Sequence, residues 1–197
     1  MRKLDPASYR TMPWKNGGGT TTEVLTVPAG ADLESFEARV SVARVEMDGP
    51  FSLFAGVDRT LVLTAGAGVT LRTADGAAVT LDPGSAPFGF IGDLAIHASL
   101  VAGPVADVGV MTRRSALLHR ARRIALEGDR TVTCPGVLTV LLVLAGDLVA
   151  TDGGAEIALT RGDVLTLGPG EPPAVVRVAP ASDRPPADLL LVDFVRP

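Results

Sequence analysis

The chain has 197 residues, a formal net charge of −4, and 47% apolar residues, of which few are aromatic because Phe, Tyr and Trp make up only 4%. One cysteine (Cys134) and two histidines (His97, His119) exclude an internal disulfide and a four-ligand structural zinc site. The acidic balance argues against the broad basic footprint of a nucleic-acid binder, and the high apolar fraction argues against disorder.

The first nine residues, MRKLDPASY, carry two basic side chains but no apolar stretch after them, so no signal peptide is expected. Next comes the densest polar constellation, MPWKNGGGTTTEV, from Met12 to Val24. Its three glycines permit positive φ angles and leave backbone N–H groups unshielded, a geometry able to hold an anion. Lys15 and Asn16 add donors, and Trp14, the only indole, adds a flat apolar wall. The alternative is a glycine-rich bend with a packed tryptophan. The order of residues fits neither a Walker A loop nor a dinucleotide fingerprint, because Lys15 precedes the glycines and a strand-like run, TTTEVLTV, follows.

Beyond it, short Val, Thr and Leu runs alternate with Gly, Pro and Asp clusters. They are FEARVSVARV (36–45), RTLVLTAG (59–66), GVTLRT (68–73), AAVTLD (77–82), VLTVLLVLAG (137–146), AEIALT (155–160), DVLTLG (163–168), AVVRVA (174–179) and DLLLVDF (188–194). Runs of this length bounded by turn residues read as strands, and TADGAAVTL and TDGGAEIAL each carry a hairpin signal. GAAVTLDPG (76–84) aligns with GAEIALTRG (154–162) at an offset of 78. The expected fold is all-β: a double cupin, in which two jelly-roll barrels arise by internal duplication. Residues 1–112 would form the first barrel and 127–197 the second, with the last strand free to return to the first. Residues 113–126 would connect them.

Within DGPFSLFAGVDRTLVL (48–63), Phe51 and Phe54 read as barrel plugs flanking a turn. Arg59 either forks onto a carboxylate ligand or pairs structurally with Asp58 or another acid. His97 in DLAIHASL is either exposed or turned into a pocket, and with no second histidine near it a bound metal is not expected. Five arginines (113, 114, 120, 122, 123) fall within eleven residues. They could contact phosphates, but a solvated connector that pairs with nearby acids is the simpler reading. The longest apolar region, TVTCPGVLTVLLVLAG, is broken by Pro135-Gly136 and falls short of the ~20 residues of a membrane span. A cytoplasmic protein with a reduced cysteine is the expectation.

The segments PWKNGGGTTTE, FEARVSVARVEMDGPFSLFAGVDRTLVLTAGAGVTL and GPVADVGVMTRR, in this order and spacing, resemble the HutD/Ves family of bicupins over residues 4–114. The likeness is looser in the C-terminal half. The resemblance implies a double cupin without the usual metal histidines. For members encoded with histidine-utilisation enzymes it also implies a regulatory role in histidine breakdown, through binding of a small acidic intermediate such as formylglutamate or urocanate. Other members are linked to stress responses. Carried over by position, the family pocket comprises Trp14, Lys15, Asn16, Glu23, Arg39 and Arg59, to which the glycine motif adds Gly17 and Gly18. The chain departs from the family pattern at Ala38, where many members carry an aromatic ring, and at Gly109, where they carry Asn. Loss of the ring is expected to widen or rearrange one wall, and loss of the amide removes a donor and an acceptor.

The leading functional reading is therefore a non-enzymatic module that binds a small acidic metabolite and needs no metal or other cofactor, nucleic acid or membrane. The alternative is a metal-independent cupin enzyme, an isomerase or hydrolase, with Glu23 as base and Lys15 and Arg59 stabilising negative charge. Nucleic-acid binding through Arg113 to Arg123 ranks last. The apolar runs VLTVLLVLAG and DLLLVDF could fill the second barrel or lend a sheet edge to a homodimer.

Overall fold

The structure, a computed structural model, describes residues 1–168, 174–181 and 187–197. Among these residues it is all-β, with one 3-10 turn at Pro6–Ser8 and no α-helix. The strands in chain order begin with β1 (Arg2–Lys3), β2 (Arg10–Pro13), β3 (Gly19–Val27), β4 (Ala38–Val45), β5 (Gly49–Pro50) and β6 (Val57–Ala65). There follow β7 (Val69–Thr73), β8 (Ala78–Leu81), β9 (Phe88–Ile91), β10 (Ile96–Leu100), β11 (Val105–Arg113) and β12 (Leu118–Leu126). The last are β13 (Arg130–Cys134), β14 (Leu138–Ala145), β15 (Leu148–Thr151), β16 (Glu156–Leu159), β17 (Val164–Leu167), β18 (Ala174–Pro180) and β19 (Ala187–Val195). Each apolar run named from the sequence lies on one of these strands.

The chain divides into two units, Ser8–Leu118 and Met1–Ala7 with His119–Arg196. The first holds a six-stranded sheet, β2-β3-β4-β11-β6-β9, and a four-stranded sheet, β5-β10-β7-β8. The second holds a five-stranded sheet, β1-β17-β14-β19-β12, and a four-stranded sheet, β13-β18-β15-β16. The order β4-β11-β6-β9 in one unit matches β12-β19-β14-β17 in the other, and the four-stranded sheets match strand for strand.

Burial explains why these runs pair as they do. In the first unit, Val45, Leu61, Leu63 and Val105 of the larger sheet share a core with Leu71, Leu81 and Ile96 of the smaller. In the second, Leu141, Leu165, Leu189 and Leu191 pack with Leu148, Leu159, Val176 and Val178. Each such side chain contributes roughly 1.5–3 kcal/mol when fully buried. Strands β14 and β19 are buried on both faces, so LTVLLVLA and ADLLLVDFV read as continuous apolar runs rather than alternations. The two hairpin signals are realised with Gly76 at φ 92° and Gly153 at φ 90°, a region only glycine enters freely. Each turn is preceded by an aspartate that caps it: Asp75 accepts from the Ala77 N–H and Asp152 from the Gly154 N–H, both at 3.2 Å.

Three expectations are changed by the structure. No sheet closes into a barrel among the described residues; each unit is a pair of open sheets. The edges that would have to join are short, β5 having two residues, one of them Pro50, which has no N–H to donate. The arginine-rich segment, within which the chain passes from one unit to the other, is mostly strand, since β11 runs through Arg113 and β12 takes Leu118–Leu126. Ile124 and Leu126 of β12 enter the core, while its arginines decorate an edge strand, where charge discourages further pairing. Finally, β19 lies between β14 and β12 of its own unit, and it is the start of the chain that crosses over, β1 pairing with β17. No helix among the described residues is long and apolar enough to cross a membrane.

Candidate functional site

The six-stranded sheet of the Ser8–Leu118 unit turns one face inward, and cross-strand pairing arranges that face in rows. At its filled end, Val45 pairs with Val105 within the apolar core. The next row sets Leu63, Asp107, Ala43 and Thr21 side by side. Then come Leu61, Gly109, Ser41 and Glu23, and last Phe90, Arg59, Met111 and Arg39. Because side chains alternate along a strand, residues two apart point to the same face, so these rows form one continuous floor. The floor thus grades from aliphatic to charged, and over its charged part opens a cavity of about 600 Å³.

Trp14, Lys15, Asn16, Arg39 and Arg59 all line that cavity. The glycine motif explains how the first three arrive there. Gly17, at φ 70°, turns the chain between β2 and β3, and its N–H donates to the Trp14 carbonyl at 3.0 Å. Gly19 sits so close to β4 that a Cβ would stand 2.2 Å from the Arg44 carbonyl oxygen, so only glycine fits. The Trp14 indole N–H donates to Thr21 Oγ1 at 2.8 Å, fixing the ring as a wall. The glycines are not an anion cradle. The Gly18 N–H is taken by Asn16 Oδ1 at 3.0 Å, and neither Gly17 nor Gly18 lines the cavity.

The two arginines are held differently. Arg39, 7% exposed, donates its Nε–H to Glu23 Oε2 at 3.0 Å. A β-bulge between Glu23 and Leu25 offsets β3 at this point, and Glu23 stays opposite Ser41, diagonal to Arg39. Glu23 is therefore spent on Arg39 and does not itself line the cavity. Arg59 is enclosed by the rings of Phe51, Phe54 and Phe90, whose centroids lie 5.2, 5.4 and 5.1 Å from its guanidinium carbon. Its Nη1 donates to the Ser52 carbonyl at 3.0 Å. Burial pushes its pKa down to about 10, Asp107 opposing and Arg39 adding to the shift, which leaves it cationic at neutral pH. Asp58 is not its partner; Asp58 and Asp93 are bridged by Arg114 at 2.9 and 2.7 Å.

Sequence reasoning missed Asp107 as a site residue. It is 4% exposed, lines the cavity, and burial pushes its carboxyl up to about 7 while the Arg59 charge pulls it back. The alternation in VADVGVM carries the signal, since Asp107 falls in phase with the buried Val105 and Met111. Ala38, in contrast, is fully buried on the face opposite Arg39, in phase with Val40, so the missing ring at that position does not bear on the cavity wall. Gly109 does lie in the floor. A Cβ there would meet Ser41 Oγ at 3.4 Å and Asp107 Oδ1 at 4.0 Å, ordinary contacts. Gly109→Ala is accordingly expected to stabilise the fold by about 0.5–1 kcal/mol, the usual gain over glycine inside a strand, while making the cavity shallower. Urea denaturation would check this; a loss of stability would show that the floor has no room.

The remaining chemical candidates lie elsewhere. His97 is exposed on β10, and the His119 ring is 6.4 Å from Phe194. Among the described residues no group of three His, Cys, Asp or Glu side chains is placed to hold a metal ion. Arg113 donates to the Glu34 and Phe36 carbonyls, and Arg122 and Arg123 pair with Asp193 and Asp188.

Comparison with known proteins agrees with this architecture. The HutD family model matches residues 6–183. An uncharacterised 21.2 kDa protein in the hutC 3' region of Pseudomonas putida is 32% identical over 168 residues, covering 85% of this chain and 83% of the relative. Protein Ves of Citrobacter koseri is 34% identical over 157 residues, covering 74% and 78%. A conserved protein of unknown function from Pseudomonas aeruginosa PAO1 superposes with a TM-score of 0.90 at 26% identity, covering 98% of each chain. HutD from Pseudomonas fluorescens SBW25 superposes at 0.83 and 26%, covering 100% of this chain and 98% of its own. A cupin 2 conserved barrel domain protein from Leptotrichia buccalis, at TM-score 0.58 and 10% identity over 93% and 95% of the two chains, shows that the fold is cupin-like. The chain belongs to the HutD family, named in relation to the histidine-utilisation region.

Proposed function

We propose that this chain is a non-enzymatic binding protein that holds a small carboxylate in the cavity of its Ser8–Leu118 unit and acts as a regulator in histidine utilisation. The observation that carries the reading is Arg59: a desolvated guanidinium, stacked by three rings, facing a cavity and engaged in no ion pair among the described residues. A planar cation in such a place suits the bidentate geometry of a carboxylate. Lys15 at the mouth, Asn16 and the Trp14 wall complete the proposed site, with Arg39 oriented by Glu23 beneath it. The tie between Glu23 and Arg39 disfavours the enzymatic alternative, because the expected base is committed to a salt bridge. We read the matching strand orders of the two units as an internal duplication of the double-cupin type. The lone thiol, Cys134, is buried and free, which suits the reducing cytoplasm.

Trp14 is the only tryptophan and lines the cavity, so its fluorescence reports on this site alone. Titration with formylglutamate and urocanate is expected to change that emission saturably, and a ligand at 100 times its Kd should add about 2.7 kcal/mol of stability. Arg59→Lys keeps the charge but loses the fork and the ring stacking, and is expected to weaken binding about tenfold or more. Silence of both signals toward all small carboxylates would refute the reading.

A further inference from the structure

We propose that the cavity is a two-pole site, in which Asp107 receives an N–H group or cationic nitrogen of the same ligand whose carboxylate lies on Arg59. This inference rests on the carboxylate reading and extends it from one charged group to the class of ligand. Four charged side chains belong to the floor of the site, and they divide into a spent pair and an unspent pair. Glu23 and Arg39 neutralise each other at 3.0 Å. Arg59 and Asp107 do not touch: among the described residues neither forms a salt bridge, and Arg59 has only the Ser52 carbonyl as a hydrogen-bond partner. No hydrogen bond to the Asp107 carboxyl is formed among the described residues, although the residue is 4% exposed and lines the cavity.

The Asp107 carboxyl faces the cavity, so a molecule held there can supply the donors that the protein does not. Its direct cross-strand neighbours, Leu63 and Ala43, carry no donor, and the Ser41 hydroxyl one row along makes no hydrogen bond to it. Arg59 lies opposite Met111, four residues further along β11, so the two side chains spring from backbone positions on the order of 13 Å apart at a rise of ~3.3 Å per residue. Each charge nevertheless acts on the other across the cavity. Between the two poles the floor residue on β11 is Gly109, which has no side chain to fill the gap. Opposite charges that line one cavity without forming a salt bridge are complementary to a molecule with an acid at one end and a nitrogen donor at the other. Trp14 lines the same cavity.

The test compares two probes of nearly the same shape, urocanate and thienylacrylate. Both carry an acrylate, but only the imidazole ring of urocanate offers an N–H. Calorimetric titration of the wild-type protein is expected to show urocanate binding about tenfold or more tightly, since a buried acceptor left unpaired discriminates strongly against the analogue lacking the donor. In Asp107→Leu the preference is expected to vanish while thienylacrylate binds as before or better. The wild-type comparison stands on its own if that variant fails to fold. Equal affinities in the wild type, or a preference that survives in Asp107→Leu, would overturn the two-pole site and leave the carboxylate reading intact. Binding of neither probe, nor of any other carboxylate, would overturn both.

Discussion

Removing the Glu23 carboxylate is expected to destabilise the protein by about 3 kcal/mol, because Arg39 is then left buried without its counter-charge. Arg39 lies in the sheet floor at 7% exposure, too deep for water to replace the lost oxygen at little cost. Glu23→Ala alone and Arg39→Met alone should each be harmful, whereas the double replacement should recover part of the loss. Chemical denaturation of the four proteins gives the coupling energy directly, and a value of at least about 1.5 kcal/mol is expected for a pair so little screened. A coupling near zero would mean that the pair is hydrated and that Arg39 is free to serve a ligand. The result bears on function as well as on stability, since a Glu23 bound this firmly is no general base.

At Asp107 the expected effect has the opposite sign and depends on pH. The carboxyl titrates at about 7 in the folded protein against an ordinary value of 3.8. Between those values the folded state binds a proton that the unfolded state has released, so stability falls as pH rises from about 4 to about 7 and then levels off. The full shift corresponds to a cost of about 4 kcal/mol above pH 7. Asp107→Asn removes the ionisation while keeping the shape. The variant is therefore expected to match the wild type near pH 4 and to exceed it by up to about 4 kcal/mol at pH 8, on the order of 10 °C in Tm. Thermal unfolding of both proteins from pH 4 to pH 8 measures the difference. A variant less stable than the wild type at pH 8 would show that ionised Asp107 is stabilised by its surroundings, Arg59 above all. A site that costs stability when empty is also one whose occupation stabilises most, which links this prediction to the two-pole ligand.

Part of the cavity lining was legible in the sequence: of the residues named there, Trp14, Lys15, Asn16, Arg39 and Arg59 line one cavity, while Gly17, Gly18 and Glu23 do not. Phe51 and Phe54, read as plugs, instead stack on Arg59 together with Phe90, a contact that needs the pairing of β6 with β9 to bring the third ring alongside. Asp58 is Arg59's neighbour in sequence but serves Arg114, because adjacent residues on a strand face opposite ways. The same alternation takes Ala38 out of the cavity and puts Gly109 in it.

By itself the sequence determined that the chain is all-β, where the main strands lie and where the Asp75-Gly76 and Gly153 hairpins turn. These are local matters: period-two alternation and a glycine at positive φ involve only a few neighbouring residues. The tertiary structure alone decided that the strands form open paired sheets rather than closed barrels among the described residues, that Arg120, Arg122 and Arg123 lie on edge strand β12, and that β1 joins the second unit. It likewise decided which charges are spent, Glu23 on Arg39, and which are not, Asp107 and Arg59. Those outcomes depend on register between strands distant in sequence and on the desolvation their packing imposes, neither of which is a property of any short segment.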